Sequence, residues 1–299
     1  MSDLANLLKV FKRTHGAIVT DSENTEDALL KLLYEVMRTH SVHSVVDAFA
    51  RNPQRYAGDL RNVLREVQAA YIPASEEVVK VSCEKAAEHH TTWLKFLAAA
   101  FGVELALQAL DANELFSQYS AAAHGLPDAA MAVSVEALNG EAPTAIRSFV
   151  MRTMAKLGLS SRTAYRTILM ETLRKSNLRA YRHIPGIKGY RRVASKSPRT
   201  CAACIALDGK FYETDVLMEE HPNGRCQLVP VTEAYDPQWE PAWKWLESQP
   251  EDVQRKVLGP SRLAALKCGD LSWSDMAVTQ VADDGRVSLS VVRVRDIGR

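Results

Sequence analysis

A chain of 299 residues, 46% hydrophobic and 24% charged, is long enough for two compact units and has the balance of a folded globular protein, which excludes a disordered tail. Met1 is not followed by a basic-then-apolar leader, which predicts against secretion. The longest apolar run, Phe96 to Leu110, contains Glu104 and Gln108 and falls short of the roughly 20 residues that span a bilayer, so no membrane role is expected.

In chain order, residues 1–72 read as helices. Asn24 and Thr25 offer N-cap oxygens, and Leu29, Leu30, Leu33, Val36 and Met37 then recur at helical spacing. Pro53 to Tyr56 interrupts that pattern and Leu60 to Tyr71 resumes it. Pro73 to Glu77 marks another boundary, with Ser75 placed to cap a helix from about 76 to 110. A further helix begins at Asp111 to Glu114 and ends near His124-Gly125, and the weakly patterned stretch Leu126 to Pro143, containing Asn139-Gly140, is the expected linker. A helix over about 144–156, a turn at Gly158 and a helix from Ser160 or Ser161 to about Tyr181 follow, stopped by Pro185-Gly186. Short strands are expected at Tyr190 to Ala194, Lys210 to Glu213 and Gln227 to Val231. Beyond them lie a helix after Pro237 bearing Trp239, Trp243 and Trp245, and an alternating terminal strand from Val287 to Arg295. The expected fold class is therefore α+β, mostly α: a helical region over 1–140, then a small α+β domain over 141–299.

Five cysteines is an odd number, and three of them (Cys201, Cys204, Cys226) gather in one stretch, which suits metal binding in a reducing compartment better than disulfides. Cys83 and Cys268 stand apart and read as plain thiols. Cys201-Ala202-Ala203-Cys204 is followed, after 16 residues, by His221-Pro222-Asn223-Gly224-Arg225-Cys226. Two cysteines two residues apart can grip one ion from a tight turn, and His221 with Cys226 can complete a four-ligand shell from a second turn; on spacing this is a structural zinc site. A chance cysteine pair beside a surface histidine, and a redox or nucleophilic Cys/His site, remain open alternatives.

The net charge of +1 conceals a segregation. Residues 142–200 contain ten Arg and four Lys against the single acid Glu171, and pairing along one helix cannot neutralise so many cations. Arg162, Arg166, Lys175, Arg179, Arg182, Arg191 and Arg192 are accordingly expected to face a polyanion, either double-stranded DNA without sequence readout or an acidic protein ring. A merely solvated basic face is the plainer alternative.

The words around the cysteines, Pro198-Arg199-Thr200-Cys201, then Leu207-Asp208-Gly209-Lys210, then His221-Pro222, come in an order that resembles the phage Mu protein F-like, or phage head morphogenesis, family. Its pattern runs R-T-C-x-x-C, L-x-G-K and H-P-x-C-R-C before a short apolar strand. Leu258-Gly259-Pro260-Ser261-Arg262, Gly269-Asp270-Leu271-Ser272 and the helix opening at Arg162-Thr163 fit as well, so the resemblance covers about residues 145–280. Gly224 departs from the pattern, standing where the family usually has the first cysteine of C-R-C. The resemblance implies a minor head (capsid) protein of a tailed bacteriophage, associated with the portal vertex and acting in head assembly, DNA packaging or DNA delivery. It would be found in the virion, in the capsid interior or at the portal vertex, and in the host cytoplasm during assembly. Portal protein and other head proteins are its implied partners, with residues 1–140 available to portal or scaffold. No enzyme is expected: the chain has no G-x-x-x-x-G-K cradle, no H-E-x-x-H, no G-x-S-x-G and no E-x-E pair. The competing readings are a zinc-containing nuclease with His221 as base and a non-specific DNA-binding protein.

Overall fold

The computed structural model describes residues 2–104, 110–131, 133, 138, 141–233, 235–236, 240–281 and 287–297. It is mostly helical, at 67%, with small sheets, an α+β architecture dominated by α. The helices α1 (Ser2–Thr39), α2 (Val42–Arg51), α3 (Pro53–Phe101), α4 (Ala112–His124) and α5 (Pro143–His183) precede strand β1 (Ile187–Val193). Then come the short helix α6 (Ala202–Ala206), β2 (Phe211–Glu213), β3 (Gln227–Thr232), α7 (Ala242–Glu247), α8 (Glu251–Leu258), α9 (Pro260–Cys268), β4 (Ala277–Val281) and β5 (Val287–Val291). Among the described residues no helix is long and apolar enough to cross a membrane.

The chain gathers into two compact units, one of residues 1–16, 89–109 and 170–299, the other of residues 17–88 and 110–169. The units therefore do not divide at residue 140, because α1, α3 and α5 each supply residues to both. In the second unit α1 runs unbroken through Asn24 and Thr25, and Thr25 caps nothing: its hydroxyl donates back to the Asp21 carbonyl at 2.8 Å. α3 likewise continues through Pro73. An interior proline costs a helix about 3 kcal/mol, here opposed by the burial of Tyr71, Ile72 and Val79 around it. Ser75, expected as a cap, is fully buried, donating to the Ile72 carbonyl and accepting from Tyr119. Nor is Gly158 a turn. It lies inside α5, where a Cβ would stand 2.9 Å from Leu33 Cδ2 and 3.2 Å from Leu30 Cδ2, so the missing side chain lets α1 and α5 approach closely. Ala129, Ala130, Val133 and Leu138, inside the expected linker, are buried in this unit's core, while Asn139 and Gly140 lie outside the described residues.

Where local signals are strong the helices end as expected. Asp111 Oδ1 accepts the Asn113 and Glu114 amides to open α4, and Gly125 closes it. α3 stops at Phe101 rather than near 110: Gly102 adopts φ +63°, and Gly102 and Val103 donate to the carbonyls of Ala99 and Ala98, a Schellman cap.

In the first unit the antiparallel sheet has the order β2-β1-β3, with Tyr190 opposite both Tyr212 and Pro230. Tyr190 stacks on Tyr212, and Gly189 leaves no space for a side chain, since a Cβ would meet the Tyr212 carbonyl and the Phe211 ring. The end of α5 is tied to this sheet by Tyr181, whose hydroxyl donates to the Leu228 carbonyl. β4 and β5 form a second, two-stranded sheet, and Arg262 of the Leu258-to-Arg262 turn donates to the Val292 carbonyl beside it. Trp243 and Trp245 sit on α7, partly buried against the core; Trp239 lies outside the described residues.

Candidate metal centre

Two turns and one strand build the site. Cys201 ends the loop that leaves β1 and caps α6, its Sγ accepting the Cys204 amide at 3.4 Å. Asp208 holds this loop in place: Oδ1 accepts the Ala194 amide at 2.6 Å and Oδ2 accepts the Ala242 amide at 2.7 Å, so one buried carboxylate joins the end of β1 to the start of α7. Gly209, at φ +84°, donates to the Arg192 carbonyl, and Arg192 donates to the Lys210 carbonyl, which places the L-D-G-K turn against β1. The second turn is anchored by Glu220, whose carbonyl accepts the Leu289 amide of β5 at 2.8 Å. It closes through Asn223 at φ 66° and a bond from the Gly224 amide to the His221 carbonyl.

These turns bring Cys201, Cys204 and His221 into one group whose ligand atoms all lie within 4.8 Å of one another. His221 Nε2 is 3.2 Å from Cys201 Sγ and 3.0 Å from Cys204 Sγ. Its Nδ1 lies 2.7 Å from the Pro222 carbonyl, which can only accept, so Nδ1 carries the proton and Nε2 is the nitrogen turned to the sulfurs. Cys226, the fourth expected ligand, is buried and meets Cys204 but stands outside that mutual group. A tetrahedral zinc ion with bonds of about 2.0–2.3 Å needs its ligand atoms roughly 3.3–3.8 Å apart. Cys201, Cys204 and His221 could therefore hold a metal ion together.

The electrostatics are those of clustered thiols beside buried cations. The hydrogen bond with Cys204 holds the His221 imidazole up at about 9, against the opposing effect of burial. Cys204 also lowers the Cys201 thiol, while the bond to Cys204 and then burial push Cys226 well above the ordinary thiol value. Arg192 is fully buried and donates from Nη2 to Cys204 Sγ at 3.3 Å and from Nη1 to the Glu219 carbonyl at 2.6 Å. Burial, the largest influence on it, opposes its charge, yet Cys226, Cys204 and Glu220 hold the guanidinium well above its ordinary value. Arg174, also buried, donates to the carbonyls of Cys226 and Gly224 at 2.8 and 2.7 Å and pairs with Glu220 at 3.1 Å. This clamp explains Gly224: a Cβ there would stand 2.5 Å from the Glu220 carboxylate, so a cysteine would collide with the partner of Arg174.

The basic segment does not form the single cationic face expected of it. Arg166 is buried and paired with the buried Glu26, and Arg162 lies 3.8 Å from the same carboxylate; both belong to the unit that lacks Cys201, Cys204 and Cys226. Arg192 is buried at the thiols. Neither Arg166 nor Arg192 can reach a polyanion. Arg191 is bound bidentately by Asp236, Lys175 by Glu171, and Arg182 donates to the carbonyls of Thr214 and Asp215, while Arg179 is exposed. Other cations of the segment pair with acids from elsewhere in the chain: Arg147 with Asp47, Lys188 with Glu233 and Lys196 with Glu240. The sequence by itself places Arg192 among the polyanion-facing cations and marks no role for Arg174. A signal existed, since Arg174 falls on the buried stripe of α5 with Met170, Leu173, Asn177 and Tyr181, and Arg192 shares the inward alternation of β1 with Tyr190.

No family model, curated protein or solved structure shows a significant match to the chain.

Proposed function

We propose that Cys201, Cys204, His221 and Cys226 hold one structural zinc ion, and that the protein is a minor head protein of a tailed bacteriophage and not a catalyst. The observation that carries the metal reading is the mutual approach of Cys201, Cys204 and His221, with Nδ1 of His221 fixed on the Pro222 carbonyl so that Nε2 faces the sulfurs. Zinc would supply a cross-link between two turns, tying the start of α6 to the segment that leads into β3. Cys201 and Cys204 would hold the ion from the start of α6, His221 from the second turn, and Cys226 from the residue before β3, steadied through its carbonyl by Arg174.

The phage reading rests on the ordered motifs R-T-C-x-x-C, L-D-G-K, H-P-x-x-R-C and Leu258 to Arg262, and each motif has a structural task that supports it. Asp208 joins two elements, Gly209 makes the turn on β1, and Arg262 ties down the chain after β5. DNA contact, if it belongs to this function, falls to the exposed cations, Arg179 among them, and not to Arg166 or Arg192. Metal analysis of purified protein should find one zinc per chain, and Cys204→Ser should lower it and destabilise the fold by several kcal/mol; wild-type melting of the variant would end the metal reading. Mass spectrometry of purified particles should find the protein at low copy alongside portal. Its absence from particles together with His221-dependent cleavage of nucleic acid would establish the nuclease instead.

A further inference from the structure

Resting on the zinc reading, we infer that Arg192 is the counter-charge and positioning residue of the centre, and that the buried charge around it is matched to a four-ligand set of three thiolates and one neutral imidazole. Arg174 and Arg192 are 4% and 0% exposed. The acid beside both is Glu220, which pairs with Arg174 at 3.1 Å and acts electrostatically on Arg192. Glu219 is engaged by Lys210 at 3.1 Å and by the Tyr212 hydroxyl at 2.6 Å, a pair that sums to zero. Arg174, Arg192 and Glu220 together therefore carry one positive charge.

A buried cation is tolerated only when an opposite charge and hydrogen bonds replace its water. Arg192 spends Nη1 on a neutral carbonyl, and its buried Nε has no hydrogen-bond partner among the described residues. Its one bond toward the centre is Nη2 to Cys204 Sγ, at 3.3 Å. A divalent ion held by Cys201, Cys204, Cys226 and a neutral His221 carries a net charge of −1, which balances the surplus. A centre lacking Cys226 would carry zero and leave the surplus standing. The charge pattern thus argues for Cys226 as the fourth ligand independently of spacing. It also gives Arg192 two tasks, holding the Cys204 sulfur in place and offsetting the charge of the thiolates.

The test uses the full chain, zinc as the bound ion in a chelator competition, and cobalt(II) as the spectroscopic probe. Arg192→Met should weaken zinc binding roughly 10- to 100-fold, the range typical of partners that support a metal ligand, while keeping the thiolate-to-cobalt charge-transfer band of a three-thiolate set. Arg192→Lys, which restores the charge, should recover most of the affinity. Glu220→Gln removes a negative charge from beside an anionic centre and should tighten binding. Wild-type affinity in Arg192→Met, or weakening in Glu220→Gln, would overturn the counter-charge role while leaving the zinc site standing. If Arg192→Met does not fold, the opposite signs expected of Arg192→Lys and Glu220→Gln decide the matter. A wild-type protein that binds neither zinc nor cobalt would sink the zinc reading and this inference together.

Discussion

Mild acid should destabilise the unit that carries the candidate centre before its carboxylates begin to titrate. His15 and His90 are buried together with Asn177 and Trp93. Asn177 Oδ1 accepts from His90 Nε2 and Trp93 Nε1, each at 3.1 Å, while its Nδ2 lies 3.1 Å from His15 Nε2, which must then be the accepting nitrogen. His15 consequently carries its proton on Nδ1, facing the Phe11 carbonyl at 3.2 Å, and its bond from Asn177 is kept only while the His15 ring is neutral. Burial, and secondarily the neighbouring His90, pushes His15 down to about 3; burial pushes His90 down to about 4 against the bond to Asn177. Both values are depressed from about 6.5 in the unfolded chain, so below that pH the unfolded state binds protons that the folded state refuses. The stabilisation is complete above pH 6.5 and is lost as the pH falls toward 4. Each histidine contributes a slope approaching 1.4 kcal/mol per pH unit, so going from pH 7.5 to 5 should remove roughly 4 kcal/mol for the pair. That is a large share of a typical total of about 5–15 kcal/mol. Urea unfolding followed by circular dichroism at half-unit steps from pH 7.5 to 5 measures the slope. His90→Gln keeps a donor for Asn177 Oδ1 and removes one titration, so its profile should be shallower than the wild type's by about 1.4 kcal/mol per pH unit below pH 6.5. A flat profile in the wild type, or an undiminished slope in His90→Gln, would refute the assignment.

Two further outcomes follow from buried charge. Arg166→Met should cost up to about 3–5 kcal/mol in urea unfolding because buried Glu26 loses its paired guanidinium and keeps the weaker contacts of Arg162 and Ser22, whereas the double variant Glu26→Leu/Arg166→Met should recover most of that loss; losses that simply add across Arg166→Met, Glu26→Leu and the double variant would show the pair to be uncoupled. Asp208→Ala strips the Ala194 and Ala242 amides of their acceptor, so at about 1.5–3 kcal/mol per bond to a charged group the destabilisation should exceed that of Asp208→Asn, which keeps one acceptor oxygen. A thermal melt in which Asp208→Ala matches wild type would remove Asp208 as the link between β1 and α7.

What sequence alone determined about this protein is what short-range chemistry controls. Asp111 and Gly125 bound α4, Pro185-Gly186 ends α5, and the three strands fall where β-rich runs adjoin turns. The Cys201-Cys204 and His221 turns are each shaped by bonds within a few residues, although their meeting depends on the longer bonds of Asp208 to Ala194 and Ala242 and of Leu289 to Glu220. Tertiary structure decided the rest. Asn24, a start signal, and Pro73 and Gly158, stop signals, are local boundary signals that α1, α3 and α5 override, since burial of long helical faces outweighs about 1–3 kcal/mol of local preference. It also decided the fate of the charge. A basic run read along the chain looks unneutralised, but ion pairs are made across space, by Glu26, Asp47, Asp236 and Glu240 from distant positions. The same long-range packing turned Arg192 inward onto Cys204, because strand alternation sets which side of β1 it leaves from and only the assembled sheet sets what that side meets.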